Sequence, residues 1–405
     1  MTRPYDLIVF GATGFTGRLV ADYLQQSQGR NRLRWALAGR QSQKLEQVRD
    51  AIGAPADLPL LTADVTDANA MAALVLQTRA VITTVGPYQR HGEALVTACA
   101  AAGTDYVDLC GEPLWMAQMI ERLQAPAAAS GARIVFSCGF DSIPFDLGVV
   151  FLQQALIERY GMPAREVRGR VKVMKGTMSG GTAASALATV AQTAGNAQMA
   201  AVLANPFALT PGFQGPPQPD DDGAAYDDWA RAWTGPFMMA VIDTKNVHRT
   251  HALRGFPWGR GFSYSERLLT GTGRSGELRA RGLARRTHLQ DVLLGFGPTR
   301  KLIGRFVLPQ PGQGPDAAAR EAGRFEVLFT GEAPAGQRIT AKVTGDCDPG
   351  YGSTCKMVSE SALCLLQDVD HRATPGGVWT AGSAMGLALV RRLQAHAGIT
   401  FTLQA

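Results

Sequence analysis

The residues Gly11-Ala12-Thr13-Gly14-Phe15-Thr16-Gly17 follow an apolar run, Tyr5–Phe10, and open a segment of helical period, Arg18–Gln26. Three glycines between a buried strand and a helix restrict the fold sharply. Gly11 permits a tight turn, Gly14 removes a side chain where a pyrophosphate must approach the backbone, and Gly17 lets helix pack closely on strand. The unpaired N–H groups of the helix start favour an anion. The spacing, GxxGxxG, is also met in ordinary glycine-rich turns. Its place after a strand and before a helix favours a dinucleotide cradle built from Gly11, Thr13, Gly14, Phe15, Thr16 and Gly17.

The pattern continues as this start implies. Apolar runs at Ala36–Ala38, Leu58–Leu61, Ala80–Val85, Tyr106–Leu109 and Arg133–Ser137 alternate with helical segments such as Gln43–Ile52 and Ala94–Ala102. Short buried strands separated by helices predict a doubly wound parallel sheet. Beyond Gly139 the character changes. Val167–Lys175, Phe237–Arg249, Arg324–Thr330 and Ile339–Thr344 read as strands. Thr182–Leu203 reads as one long helix, Ser353–Gln367 as another and Gly382–His396 as a last one. Consecutive strands predict a second α/β domain on a mixed sheet. The expected divisions are 1–140, 141–375 and 376–405.

The ends of the first strands carry the cofactor reading. An NAD site usually has an acid after the second strand for the ribose 2′-OH. Here the residues are Gly39 and Arg40, with Lys44 one helical turn on. Two cations suit a 2′-phosphate, so the expected cofactor is NADP(H), unless Arg40 is simply solvated. Asp64, before Val65, could accept from the adenine amino group or cap the segment that follows. Val85-Gly86-Pro87-Tyr88, Gly111-Glu112-Pro113 and Gly139–Pro144 follow the fourth, fifth and sixth strands. In open α/β sheets ligands bind beyond these strand ends, so Val85, Gly86, Pro87, Tyr88 and Gly111 join the expected cofactor contacts.

Composition narrows the remaining classes. With 405 residues and 46% apolar content, the chain is long enough for two or three packed domains. No stretch reaches the roughly 18 apolar residues that a membrane span needs, and the short first strand does not read as a secretion signal. Six scattered cysteines without a CxxC pair point to reduced thiols in a cytoplasmic protein and away from zinc; no metal site is expected. From Ser265 to Arg305 nine basic residues face three acids, a surplus of +6 that equals that of the whole chain. Nucleic acid is therefore not an expected partner. The segment suits an anionic surface, such as a membrane or an acidic acyl carrier, or else forms a solvated face; in the first case the protein is peripheral to a membrane. Gly295, Gly297 and Pro298 should divide it into two short helices. A homodimer is also open. No Tyr-x-x-x-Lys, GxSxG or GxxxxGK[ST] motif occurs, which removes the tyrosine-lysine dehydrogenase, serine hydrolase and P-loop readings.

Together the Gly11–Gly17 loop, Ala38-Gly39-Arg40, Val85–Tyr88, Tyr106–Pro113, GFDSIPFDLG at Gly139–Gly148, SGGT at Ser179–Thr182, Pro236–Leu253, DPGYGSTCK at Asp348–Lys356 and Gly377–Leu387 resemble the saccharopine dehydrogenase-like oxidoreductases. The resemblance is to their trans-acting enoyl reductase branch. It covers nearly the whole chain. It implies a Rossmann-type first domain, an inserted second α/β domain, an NADP-type cofactor and a C-terminal helix and tail returning to the first domain. The implied activity is reduction of an enoyl or related acyl substrate, small or carrier-linked. The alternatives are reduction of an imine or amino-acid-derived carbonyl, and a non-catalytic dinucleotide-binding protein of lipid surfaces. An amino-diacid would need cations. The expected strand Met238–Arg249 offers only Lys245, His248 and Arg249 beside apolar residues, which suits an acyl chain or an ordinary core.

Enoyl reduction needs a hydride donor, a proton source and a donor to the enolate oxygen. Tyr88 could give the proton or pack on the cofactor ribose. Asp141 and Ser142 could orient substrate, or cap the helix that Pro144 starts. Thr182 opens a helix whose amides could hold an oxyanion. Glu112 is a general acid if buried, or part of a surface turn.

Overall fold

The computed structural model describes residues 3–176, 180–306 and 314–404, with backbone alone at 180–183. The strands β1 (Tyr5–Phe10), β2 (Trp35–Gly39), β3 (Leu60–Thr62), β4 (Thr78–Thr83), β5 (Asp105–Val107) and β6 (Arg133–Val135) all pair in parallel. The sheet order β6-β5-β4-β1-β2-β3 reverses direction between β1 and β4. At that switch point the connections leave to opposite faces and open a crevice beyond the strand ends; the glycine loop follows β1 into it. Both faces of the sheet are covered. Leu7 and Val9 belong to one buried cluster, and Ile8 and Phe10 to another. This explains why the strands read as continuous apolar runs.

The helix Ile143–Tyr160 carries the chain to a second sheet. Its strands are β7 (Glu166–Lys175), β8 (Ala225–Asp227), β9 (Ala232–Pro236), β10 (Ser263–Gly271), β11 (Arg324–Glu332) and β12 (Arg338–Gly345). β7 and β10 are parallel and the other pairings are antiparallel, so the sheet is mixed. The helix Thr354–Gln367 then packs back on the helix Phe15–Gln26 and on β4 and β5. There Glu360, fully buried, accepts from Tyr23 at 2.5 Å and Arg30 at 2.9 Å, and pairs with Arg392. The first buried cluster runs unbroken from Leu7 to Phe401 and joins the two sheets.

Four expectations need correction. Phe237–Arg249 is not a strand: β9 stops at Pro236 and the helix Ala240–Leu253 follows. It buries Asp243, Lys245, Asn246, His248, Arg249, Thr250 and His251, so polarity along the sequence hid its helical period. The long helix over Thr182–Leu203 is two, Gly180–Thr193 and Ala197–Ala204. They break at Gly195, whose φ of +78° suits glycine, and Asn196 caps the second on the Met199 N–H. The basic segment forms one long helix, Gly273–Gly295, and a shorter one, Gly297–Phe306. Finally, the C-terminal segment serves both sheets. β13 (Gly377–Trp379) extends the first sheet beside β6, whereas the tail, β14 (Ile399–Gln404), pairs antiparallel with β12 at the edge of the second.

Candidate active site

The crevice at the switch point is shaped for a phosphate. Gly11 has φ +84°, and a Cβ there would lie 2.6 Å from Cγ2 of Val85. A methyl group on Gly17 would run into the Gly11 carbonyl. Gly14 stands at the helix start in extended conformation and no side chain caps the helix, which leaves its first amides to an anion. Phe15 and Thr16 form the first turn. Both threonines of the loop are partly exposed, and Thr13 lies beside Gly39 at the end of β2. Arg40 and Lys44 are exposed next to it and carry no ion pair among the described residues. A diphosphate in the cradle and a 2′-phosphate beside Arg40 fit this arrangement.

Asp64 closes its own turn: Oδ1 accepts from the Thr66 N–H at 2.9 Å and hydroxyl at 2.8 Å, which holds its carboxyl below the usual range. The cap of the next helix, Ala68–Val75, is Asp67 and not Asp64. Val65 is buried beside it.

Tyr88 is not placed as a proton donor. It is buried against Trp115, with ring centroids 5.8 Å apart. Its hydroxyl donates to the Thr83 carbonyl at 3.2 Å and accepts the Leu109 N–H at 3.1 Å, so it braces the ends of β4 and β5. Burial holds the phenol well above its ordinary pKa. Glu112 is neither a surface residue nor an isolated acid. Its Oε1 accepts the Tyr88 N–H at 2.9 Å and the Ser185 hydroxyl at 2.8 Å, and its Oε2 accepts the Gln89 N–H at 2.8 Å. One carboxylate thus ties the Gly86-Pro87 loop, the turn after Gly111 and the helix Gly180–Thr193 together. Sequence gave no sign of this clamp, because its donors lie far apart in the chain.

The loop after β6 meets the Asp348–Lys356 motif. The Phe140 N–H donates to the Thr354 hydroxyl at 3.0 Å, which itself donates to the Pro349 carbonyl at 2.8 Å. Asp348 accepts from the N–H groups of Gly350, Tyr351 and Gly352. Tyr351 then meets Phe15 of the glycine loop edge-on, 5.2 Å between centroids. A distant motif therefore borders the cradle.

Asp141 and Ser142, neighbours in sequence, differ in environment. Asp141 is half-buried, and its carboxyl has no hydrogen-bond or ion-pair partner among the described residues. Loss of solvent pushes it up to about 6. Ser142 is buried and its hydroxyl does not cap the helix. It donates to Asp243 at 3.3 Å and accepts from Asn246 at 2.5 Å. Behind it Glu266 accepts from the Tyr264 hydroxyl at 2.8 Å, and the Asp243 and Glu266 carboxyls interact with each other. Neither is exposed, and burial raises both, so the pair retains a proton. The side chain of Thr182 lies outside the described residues.

Among the described residues no group of three or more His, Cys, Asp or Glu side chains could hold a metal ion. None of their helices is long and apolar enough to cross a membrane.

An uncapped helix and two glycine contacts at the switch point, with free cations beyond β2, make a dinucleotide site. This places the chain among the NAD(P)-dependent oxidoreductases, with NADP(H) as cofactor. Comparison with known proteins agrees. Residues 7–135 match the saccharopine dehydrogenase NADP-binding domain. A Mycobacterium tuberculosis protein provisionally named as a trans-acting enoyl reductase is 39% identical over 423 residues, covering 98% of this chain and 97% of its own. The trans-acting enoyl reductase of Mycobacterium leprae is 34% identical over 407 residues, with 96% of each chain covered. Apo saccharopine dehydrogenase (L-Glu forming) from Saccharomyces cerevisiae superposes with a TM-score of 0.53 over 99% of each chain at 12% identity, which shows the shared fold. The chain belongs to the saccharopine dehydrogenase-like oxidoreductases, in their trans-acting enoyl reductase branch.

Proposed function

We propose that the protein reduces the carbon–carbon double bond of an enoyl thioester, with Asp141 giving the proton. The Gly11–Gly17 cradle and Arg40 would hold NADPH, which when bound would supply the hydride that the β-carbon accepts. The Cα of the resulting enolate then takes a proton from the Asp141 carboxyl, and solvent reprotonates the carboxylate. The substrate class rests on the similarity, over nearly the full length, to proteins named for this reaction. The residue assignment rests on one observation: a half-buried carboxyl without a hydrogen-bond or ion-pair partner among the described residues, in the loop that follows β6.

The amino-diacid alternative is weakened by the helix Ala240–Leu253. Lys245 donates to the carbonyls of Leu203 at 2.7 Å and Val241 at 2.9 Å. Arg249 donates to those of Leu209 and Val378, both at 2.6 Å. Burial holds His248 at about 3 and His251 at about 4, hence neutral. The cations that a dicarboxylate would need are already used.

The test is oxidation of NADPH with a medium-chain enoyl thioester, against a 2-oxoacid with an amine donor. Turnover on the thioester alone supports the reading, and turnover on the imine-forming pair alone overturns it. Asp141→Asn should lower kcat by about 10²–10⁴-fold with NADPH binding kept. A general acid must be protonated, so kcat/KM of the native enzyme should fall as pH rises through about 6, and this limb should vanish in the variant.

A further inference from the structure

We propose that the helices Gly273–Gly295 and Gly297–Phe306 dock the protein on a negatively charged lipid surface. This holds whether or not the substrate reading does. From residue 281 to residue 306 no residue is buried. The long helix buries only Gly276 and Ala280, near its start, and the short one buries nothing. Yet this stretch carries large apolar side chains turned to solvent, with Leu289 58%, Phe296 62% and Phe306 71% exposed. Val292, Leu293 and Leu302 are exposed as well.

The arrangement is ordered. Positions 289, 292 and 293 follow the i, i+3, i+4 rule and share one stripe, Phe296 follows at the extended residue that ends the helix, and 302 and 306 lie one turn apart on the next helix. A contiguous apolar face of this kind in water marks an interaction surface.

Charge decides what covers it. Arg281 is paired with Glu277 at 2.6 Å, but residues 285–306 hold five further cations, Arg285, Arg286, Arg300, Lys301 and Arg305, against one acid, Asp291. The helix Gly180–Thr193 contacts both helices, and residues 180–204 contain no charged residue to offset them. A second copy on the same face would set cations against cations, a like-charge contact that costs affinity. An anionic lipid surface satisfies both features at once. Apolar side chains enter the acyl boundary while arginine stems lie along it and keep their heads among the phosphates. The length also fits: the long helix, with 23 residues, extends for about 34 Å, enough to lie along a plane.

The test is co-sedimentation of the full chain with vesicles of phosphatidylcholine alone or of phosphatidylcholine and phosphatidylglycerol in equal parts, at physiological salt. The chain should pellet with the mixed vesicles and stay in solution with the neutral ones. Arg285→Ala with Arg286→Ala should weaken partitioning by roughly 30-fold, from about a fivefold loss per basic residue. Leu289→Ser with Phe296→Ser should weaken it by about tenfold or more. Unchanged NADPH binding checks that each variant folds. The proposal falls if the native chain ignores anionic vesicles, or if both variants pellet as it does. It falls equally if the native chain is a dimer that Leu289→Ser with Phe296→Ser splits, or if it binds an acidic acyl carrier protein in preference to vesicles.

Discussion

The helices Ala240–Leu253 and Gly273–Gly295 invert each other. The first buries a carboxyl, an amide, imidazoles and cations; the second turns leucine and valine to water. Most of the polar groups inside are held by partners, although Nε2 of His248 and Nε of Arg249 find none among the described residues. Arg249 and Lys245 find carbonyls, and Asn246 and Asp243 share Ser142. Apolar groups remain outside where no described residue covers them. Buried polarity here records contacts already made within the chain, and exposed apolarity a surface the chain leaves open.

The strongest challenge to this contrast is Arg249→Met. It keeps much of the volume and removes the donors to the Leu209 and Val378 carbonyls. Chemical denaturation should show a loss of about 2–4 kcal/mol, the cost of leaving two buried acceptors unpaired. A loss well under 1 kcal/mol would mean that the inward polarity contributes little.

The next effect is one of pH. The carboxyl pair faces Tyr264 and Arg170 from the second sheet, with Asp221 and Asp141 from adjoining loops. Both carboxyls are raised by burial, so the folded chain keeps a proton that the unfolded chain releases. Their contribution to stability is complete below the ordinary carboxyl range and is lost as pH rises through the raised folded value. The slope is about 1.4 kcal/mol per pH unit per retained proton. Melting of Glu266→Gln across neutral pH should show a flatter fall than the native chain; an identical profile would remove the shared proton. The smallest effect belongs to the outward helix. Leu289→Ser should change unfolding free energy by no more than about 0.5 kcal/mol, since little is buried there. A larger loss would show that the face is already covered within the molecule or by a second copy.

The same contrast explains what the sequence made legible. The glycine loop, Gly39-Arg40 and the first six strands are local signals: periodicity, a turn and a strand end. The helix Ala240–Leu253 was unreadable because its polar residues are paid for by distant partners, and a pattern of polarity cannot show them. For Tyr88 the spacing gives a place after β4 but not its bonds, because its hydroxyl is engaged by Thr83 and Leu109, partners that a local pattern cannot show. Glu112 and Asp348 escaped for a related reason. A carboxylate clamp is defined by its donors, and Ser185 lies 73 residues from Glu112.

The placement of β13 and β14 bears on how the chain acquires its form during synthesis. The first sheet waits for Gly377–Trp379 to complete its edge beside β6, and the second waits for Ile399–Gln404 beside β12. A ribosome has delivered the whole cofactor cradle long before either last strand arrives. Until then β6 and β12 stand as edges in place of β13 and β14, and the growing chain offers them for pairing with other chains.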